Sequence, residues 1–229
     1  MEQMKIIGWV RTDFPEKFGA PRQSGLVREL TGRIEFAPEY RNKEAFRGLE
    51  EYSHLWILWQ FSENIRKDGR GFSPTVKPPR LGGNRRMGVF ATRSPFRPNP
   101  IGLSCVRLEQ VCLDGKEAPY LMVSGVDMMD HTPVYDIKPY LAYTDSHADA
   151  VCGFVDTVMD HGLQVVIPEE LKAEVPPEKW AGLIGLLKED IRPGYLHAPD
   201  RVFGVSFAGM NIKFTVNNNV LTVCAIAKL

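Results

Sequence analysis

Fourteen consecutive residues, Asp127-Met128-Met129-Asp130-His131-Thr132-Pro133-Val134-Tyr135-Asp136-Ile137-Lys138-Pro139-Tyr140, hold three acids, a histidine, a lysine and two tyrosines. Ionisable groups of both signs set this close shift one another's pKa values and orient one another, as proton transfer requires. The plain alternative is a network of Asx turns at the rim of a β-structure, since Asp, Thr and Pro also build tight turns. A second stretch is cationic. Arg66 to Arg97 carries nine Lys or Arg and one acid, Asp68, in 32 positions, although the whole chain balances 28 Lys+Arg against 28 Asp+Glu. From Pro98 onward acids outnumber bases, so the positive charge is local. Guanidinium forks pair with phosphate or carboxylate through two parallel hydrogen bonds. Gly82 and Gly83 let the backbone approach a ligand, and Pro78, Pro79, Pro95, Pro98 and Pro100 fix the loop before binding. A solvated basic loop has no use for Phe90 and Phe96, so the block is expected to fold against something. The third stretch, Pro21-Arg22-Gln23, offers donors and one amide acceptor, the mix that holds a small polar ligand, although it also suits an ordinary surface turn. His54, inside the apolar run ending at Phe61, reads as a core histidine without a chemical role.

The elements that must position these residues are mostly strands. Ile6–Arg11, Arg33–Phe36, Leu55–Phe61, Met87–Thr92, Leu103–Leu113 and Leu121–Val126 are short, rich in Val, Ile, Phe or Trp, and bounded by turn residues. Helical periodicity over this part is confined to Lys43–Glu51. No strand–helix–strand alternation is visible and no G-x-G-x-x-G follows the first strand, which disfavours a Rossmann domain. The fold class read here is mainly β: a barrel or sandwich over 1–150, followed by a small α+β domain over 160–229. In that second part Pro176-Pro177 starts a helix whose apolar residues Trp180, Leu183, Ile184 and Leu187 recur at helical spacing. Arg201–Phe207, Ile212–Val216 and Val220–Ile226 then form strands around the Asn217–Asn219 turn. Cys105, Cys112, Cys152 and Cys224 show no metal-ligand spacing, which argues against a structural zinc or a disulfide framework. The N-terminus lacks the apolar core of a signal peptide, and the run Leu55–Phe61 is too short to span a bilayer. A reduced, cytoplasmic protein is expected.

Four segments, PRQSGLV, HLWILWQF, PPRLGGNRRMGVFATRSPFRPNPIGLS and DHTPVYDIKPY, resemble in order and spacing the TrmO (TsaA/YaeB-like) family of tRNA adenine-37 N6-methyltransferases. The resemblance runs from Ile6 to Tyr143 and extends to the C-terminal part through Asp190-Ile191-Arg192-Pro193-Gly194-Tyr195. It implies a seven-stranded single-sheet β-barrel that works as a homodimer and binds S-adenosylmethionine without a Rossmann domain. The implied reaction is methyl transfer to N6 of N6-threonylcarbamoyladenosine in the anticodon loop of tRNA. By position, the implied cofactor contacts are Pro21, Arg22 and Gln23, Ser62 and Glu63, Arg93, Leu103, and Asp130, His131, Thr132 and Pro133. Many members carry His in place of Ser62 and Gly in place of His131. A side chain at 131 either narrows the pocket or takes an unusual backbone angle.

For this reaction the acceptor N–H is attached to a carbonyl, so its lone pair is delocalised and a carboxylate that takes the proton helps by about 10²–10⁴-fold. Asp136 is the favoured acceptor, with Lys138 and Tyr140 placed to orient it, and Asp130 is the other candidate. Arg93 serves either the methionyl or the threonyl carboxylate. Arg66, Arg70, Arg80, Arg85, Arg86 and Arg97 suit tRNA phosphates, and Phe96 and Tyr135 suit stacking on unpaired bases. Two other classes stay open: a non-catalytic RNA- or nucleotide-binding barrel, and an arginine-clamped phosphoryl-transfer enzyme, which would lack a Walker-type loop.

Overall fold

The computed structural model describes residues 4–62, 72–78, 85–157, 162–192 and 201–229. Twelve strands are described in chain order: β1 (Gly8–Arg11), β2 (Thr31–Phe36), β3 (His54–Gln60), β4 (Thr75–Val76), β5 (Met87–Gly88), β6 (Ile101–Cys112), β7 (Tyr120–Ser124), β8 (Thr132–Pro139), β9 (Gln164–Val166), β10 (Phe203–Phe207), β11 (Met210–Asn217) and β12 (Val220–Lys228). Six of them close into a barrel in the order β1-β2-β7-β6-β3-β8. Side chains alternate across each strand, so every second residue points into the barrel. Val10, Ile34, Leu55, Ile57, Val106, Leu121, Val123 and Val134 fill it and are buried.

The barrel therefore has six strands where about seven were expected. Met87–Thr92 is not one of them: only Met87–Gly88 is extended, in a hairpin with β4, and Val89–Ala91 turns into a 3-10 helix. Thr132–Pro139, read from sequence as a polar cluster, is the strand β8 that closes the barrel between β3 and β1. Its alternation was hidden by a bulge. Trp59 pairs with Val134 but Leu58 pairs with Asp136, so Tyr135 is an extra residue and the strand changes phase there. The expected helix Lys43–Glu51 is two 3-10 turns, Lys43–Phe46 and Leu49–Glu51, divided by Gly48 at φ 81°.

The C-terminal part adds one strand to the expected helix and hairpin. Its sheet has the order β10-β11-β12-β9, with β9 parallel to β12, and the helix Trp180–Lys188 buries Leu183, Leu186 and Leu187. This unit packs on the segment that links β1 to β2. The rings of Phe14 and Phe207 lie 5.8 Å apart, and Lys179 Nζ meets Asp13 at 2.5 Å. Gly19 has φ 108°, and a Cβ there would sit 2.3 Å from Val205 Cγ2, so only glycine fits. Among the described residues no helix is long and apolar enough to cross a membrane.

The helix Trp180–Lys188 meets the linking segment through glycines. A Cβ on Gly185 would lie 2.4 Å from Val27 Cγ1, a stiff β-branched side chain. Gly185→Leu is expected to lower stability by about 1–3 kcal/mol through overpacking. An unchanged denaturant midpoint would show that the two units do not rely on this contact.

Candidate active site

Where β3 ends and β6 and β8 begin, the barrel opens into a cavity of about 570 Å³, a size typical of small-molecule sites. Its wall has three sources. The barrel contributes Trp59 to Ser62, Ile101 to Leu103, and Thr132; the turn before β8 contributes Asp127 and Met129. Two loops complete it, one with Lys17 and Ala20 to Gln23, the other with Thr92, Arg93 and Arg97.

Among the described residues, Asp127 is the acid on this wall. Ser104, fully buried on the inner face of β6, donates its hydroxyl to Asp127 Oδ1 at 2.6 Å and accepts the Trp59 indole N–H at 2.9 Å. Gly102 makes room for that indole: a Cβ there would lie 2.2 Å from Trp59 Cε2. Burial pushes the Asp127 carboxyl up to about 6, and the effect is opposed by the Ser104 hydroxyl, the backbone N–H groups of Asp127 and Ser24, and the charge of Arg93.

The cationic part of the wall is held from outside the barrel. Arg93 donates to Gln23 Oε1, and Gln23 Nε2 donates to the Arg22 carbonyl at 2.5 Å. Arg22 Nη2 donates to the carbonyls of Asp190 and Arg192, both at 3.0 Å, just beyond the C-terminal helix. That carbonyl pair is itself braced. Arg192 forks onto the Asp190 carboxylate at 2.7 and 2.8 Å, and Asp190 takes a left-handed φ of 44°. Burial raises the Asp190 carboxyl, but the hydrogen bonds and charge of Arg192 outweigh it and hold it below the usual range.

Of the residues singled out from sequence, Pro21, Arg22, Gln23, Ser62, Arg93, Leu103 and Thr132 share this wall, with Arg97 beside them. Glu63, Arg66, Arg70 and Arg80 lie outside the described residues. Asp130 stands off the wall. Its Oδ1 accepts the Thr12 backbone N–H at 3.1 Å and its Oδ2 lies 3.8 Å from Arg11, so it ties the turn before β8 to the chain after β1. Pro133 pairs with Trp9 in the barrel and is not one of the wall residues. The phase change at Tyr135 corrects the reading of the proton-transfer residues. Asp136 and Lys138 sit opposite Leu58 and Trp56 on the outer face, where they pair with each other at 3.0 Å, and Tyr140 packs on Trp56 with ring centres 5.6 Å apart. None of the three reaches the cavity of this chain. Tyr135 is half-buried, and burial pushes its phenol up.

Sequence reasoning missed Asp127 and Trp59. Asp127 follows Gly125-Val126 and precedes two methionines, an apolar setting that marks a buried carboxyl more clearly than the polar run around Asp136. Trp59 was read as core, which it is, but at the end of its strand the core becomes the cavity floor.

A model of the N-terminal domain of tRNA-methyltransferase O matches residues 9–146. Over 232 residues the chain is 38% identical to the tRNA (adenine(37)-N6)-methyltransferase of Escherichia coli, covering 98% of this chain and 97% of that one. The chain belongs to the TrmO family. A putative S-adenosylmethionine-dependent methyltransferase of Pseudomonas aeruginosa is 41% identical over 214 residues, covering 90% of this chain and 89% of its own length. The crystal structure of TrmO from the same organism superposes with a TM-score of 0.78 at 32% identity, covering 99% of each chain. Set against the TrmO pattern, His131 takes the glycine-like option, with φ 59° and its ring turned out to Arg11. It leaves the cavity wall to Thr132.

The Asp127 carboxyl carries a sign for stability. Unfolded it titrates near 3.9, folded near 6, so between these values the folded state holds the extra proton. Stability should fall as pH rises from about 4 to 6, by at most about 3 kcal/mol. Asp127→Asn keeps an acceptor for Ser104 and is expected to remove that fall. Identical pH–stability curves for the two proteins would contradict the burial of this carboxyl.

Proposed function

We propose that this chain is an S-adenosylmethionine-dependent methyltransferase acting on N6 of N6-threonylcarbamoyladenosine at position 37 of tRNA. The observation that carries the reading is a cavity that sets Arg22 and Arg93 against Asp127 over an apolar floor, in a chain 38% identical to a tRNA (adenine(37)-N6)-methyltransferase. The residues fit the cofactor. Guanidinium groups suit its carboxylate, Trp59, Phe61 and Leu103 suit its apolar and ring surfaces, and the Asp127 carboxylate suits a neighbouring cation. When bound, S-adenosylmethionine supplies an electrophilic methyl group on a sulfonium sulfur.

The transfer forms a bond from the methyl carbon to N6, breaks the carbon–sulfur bond, and frees the N6 proton. Asp127 receives that proton, because its pKa near 6 lets it be ionised at neutral pH and still basic enough to accept. Arg22 and Arg93 hold the carboxylates of the two reactants, Trp59 and Phe61 exclude water from the floor, and Arg85, Arg86 and Arg97 take tRNA phosphates at the rim. The same reading makes the protein a cytoplasmic homodimer, which light scattering tests for the assembly.

Mass spectrometry of tRNA nucleosides after incubation with methyl-labelled cofactor tests the reaction. Label is expected on threonylcarbamoyladenosine and not on unmodified adenosine. Asp127→Asn should lower kcat by about 10²–10⁴-fold, whereas Asp136→Asn, on the outer face, should retain turnover. Loss of activity in Asp136→Asn with Asp127→Asn still active would reverse the assignment, and transfer to neither nucleoside would leave a barrel that only binds RNA.

A further inference from the structure

Beside the cavity mouth the protein holds aromatic rings in water. Phe90 is 71% exposed and Phe72 is 44% exposed, and their rings stack at 27° with centres 6.1 Å apart. Their backbones are tied in place. Val89 is buried, its N–H donates to the Pro74 carbonyl at 3.0 Å, the Ser73 N–H donates to the Phe96 carbonyl at 3.2 Å, and Thr75 pairs with Gly88. Phe96 lies lower, 37% exposed. The Arg97 guanidinium carbon stands 5.9 Å from the centre of the Phe90 ring, with Nη1 fixed on the Thr92 carbonyl at 2.7 Å. Arg97 also lines the cavity, so a single side chain joins the cavity wall to the ring. Arg85 and Arg86 are exposed on the same hairpin, and Arg86 donates to Thr75 Oγ1 at 3.0 Å.

Rings flanked by cations match the chemistry of single-stranded nucleic acid, whose bases stack on aromatic faces while its phosphates pair with arginine. An aliphatic protein segment would find no use for the three guanidinium groups. An adenosine that enters the cavity must leave its stack, which strips a neighbouring base of its partner. We propose that Phe90, supported by Phe72 and edged by Arg97, is the platform on which an unpaired base next to the modified adenosine stacks. The inference rests on the RNA methyltransferase reading and adds a base-binding site to it.

Stem-loop RNAs that carry threonylcarbamoyladenosine, intact or with an abasic site on either side of it, test the platform in a double-mutant cycle. For Phe90→Ala, KM for the intact RNA should rise roughly 5- to 100-fold, with kcat and cofactor affinity unchanged, and Phe90→Tyr should restore binding. One abasic position should weaken the wild-type protein by a similar factor and leave Phe90→Ala no weaker than before. Equal RNA affinity in wild type and Phe90→Ala, or abasic losses that simply add to the mutation, would overturn the platform. So would a change of oligomeric state in Phe90→Ala without a change in RNA binding, which would make the rings a contact between copies. A wild-type protein that leaves the modified loop unlabelled would sink the underlying reading as well, whereas labelling that ignores Phe90 sinks the platform alone.

Discussion

Ionising a carboxylate beside Trp59, Ile101 and Met129 forfeits hydration that the protein has to replace. The replacement is a short chain of hydrogen bonds built into the barrel wall. The Trp59 indole occupies one lone pair of Ser104, which commits the buried hydroxyl to donate to Asp127. Each group in the chain is placed by strand alternation: Trp59 and Ser104 point inward from neighbouring strands, and Gly102 leaves the space into which the indole lies. The compensation is incomplete, and for that reason the carboxyl titrates near neutrality instead of in the ordinary carboxylate range. Fewer donors would keep it protonated, and more would make it too weak a base.

The cationic wall obeys a different constraint. A loop that carries Arg22 and Gln23 over the opening cannot be fixed by the barrel alone, because it leaves β1 before the sheet turns back at β2. The C-terminal unit supplies the other side. It receives Phe14, accepts the Arg22 guanidinium on two backbone carbonyls, and pairs Ser206 with Glu16 at 2.9 Å. Ser24 fastens the far end of the loop to the barrel by accepting the Cys105 N–H at 3.0 Å. The second unit is thereby part of the cavity's construction, though none of its described residues lines the wall.

The barrel was legible in the chain wherever alternation was clean. Leu55–Phe61 and Leu103–Leu113 were read as strands from their apolar content and bounding turn residues, and the strands observed, His54–Gln60 and Ile101–Cys112, overlap them closely. Thr132–Pro139 was missed as a strand because one inserted residue, Tyr135, breaks the two-residue period, and that same insertion turned Asp136 and Lys138 away from the opening. The loops bearing Pro21-Arg22-Gln23 and Arg93 were found by residue type and resemblance, and they do converge on the cavity. Asp127 was passed over because density of charge was taken as the signal. A single acid set among apolar neighbours was the stronger one, since burial is what moves a carboxyl toward neutral pH. At His131 the resemblance left two options, a narrowed pocket or an unusual backbone angle; the second is observed, and the outward turn of the ring is set by Arg11, 120 residues away in sequence.

The most direct test of the site is a crystal structure with S-adenosylhomocysteine, the product that methyl transfer leaves behind. The expected result is density in the barrel mouth between Trp59 and Leu103, with the amino-acid end toward Arg22 or Arg93 and the sulfur on the side of Asp127. Density at any other place on the protein, with the barrel mouth holding only water, would contradict it.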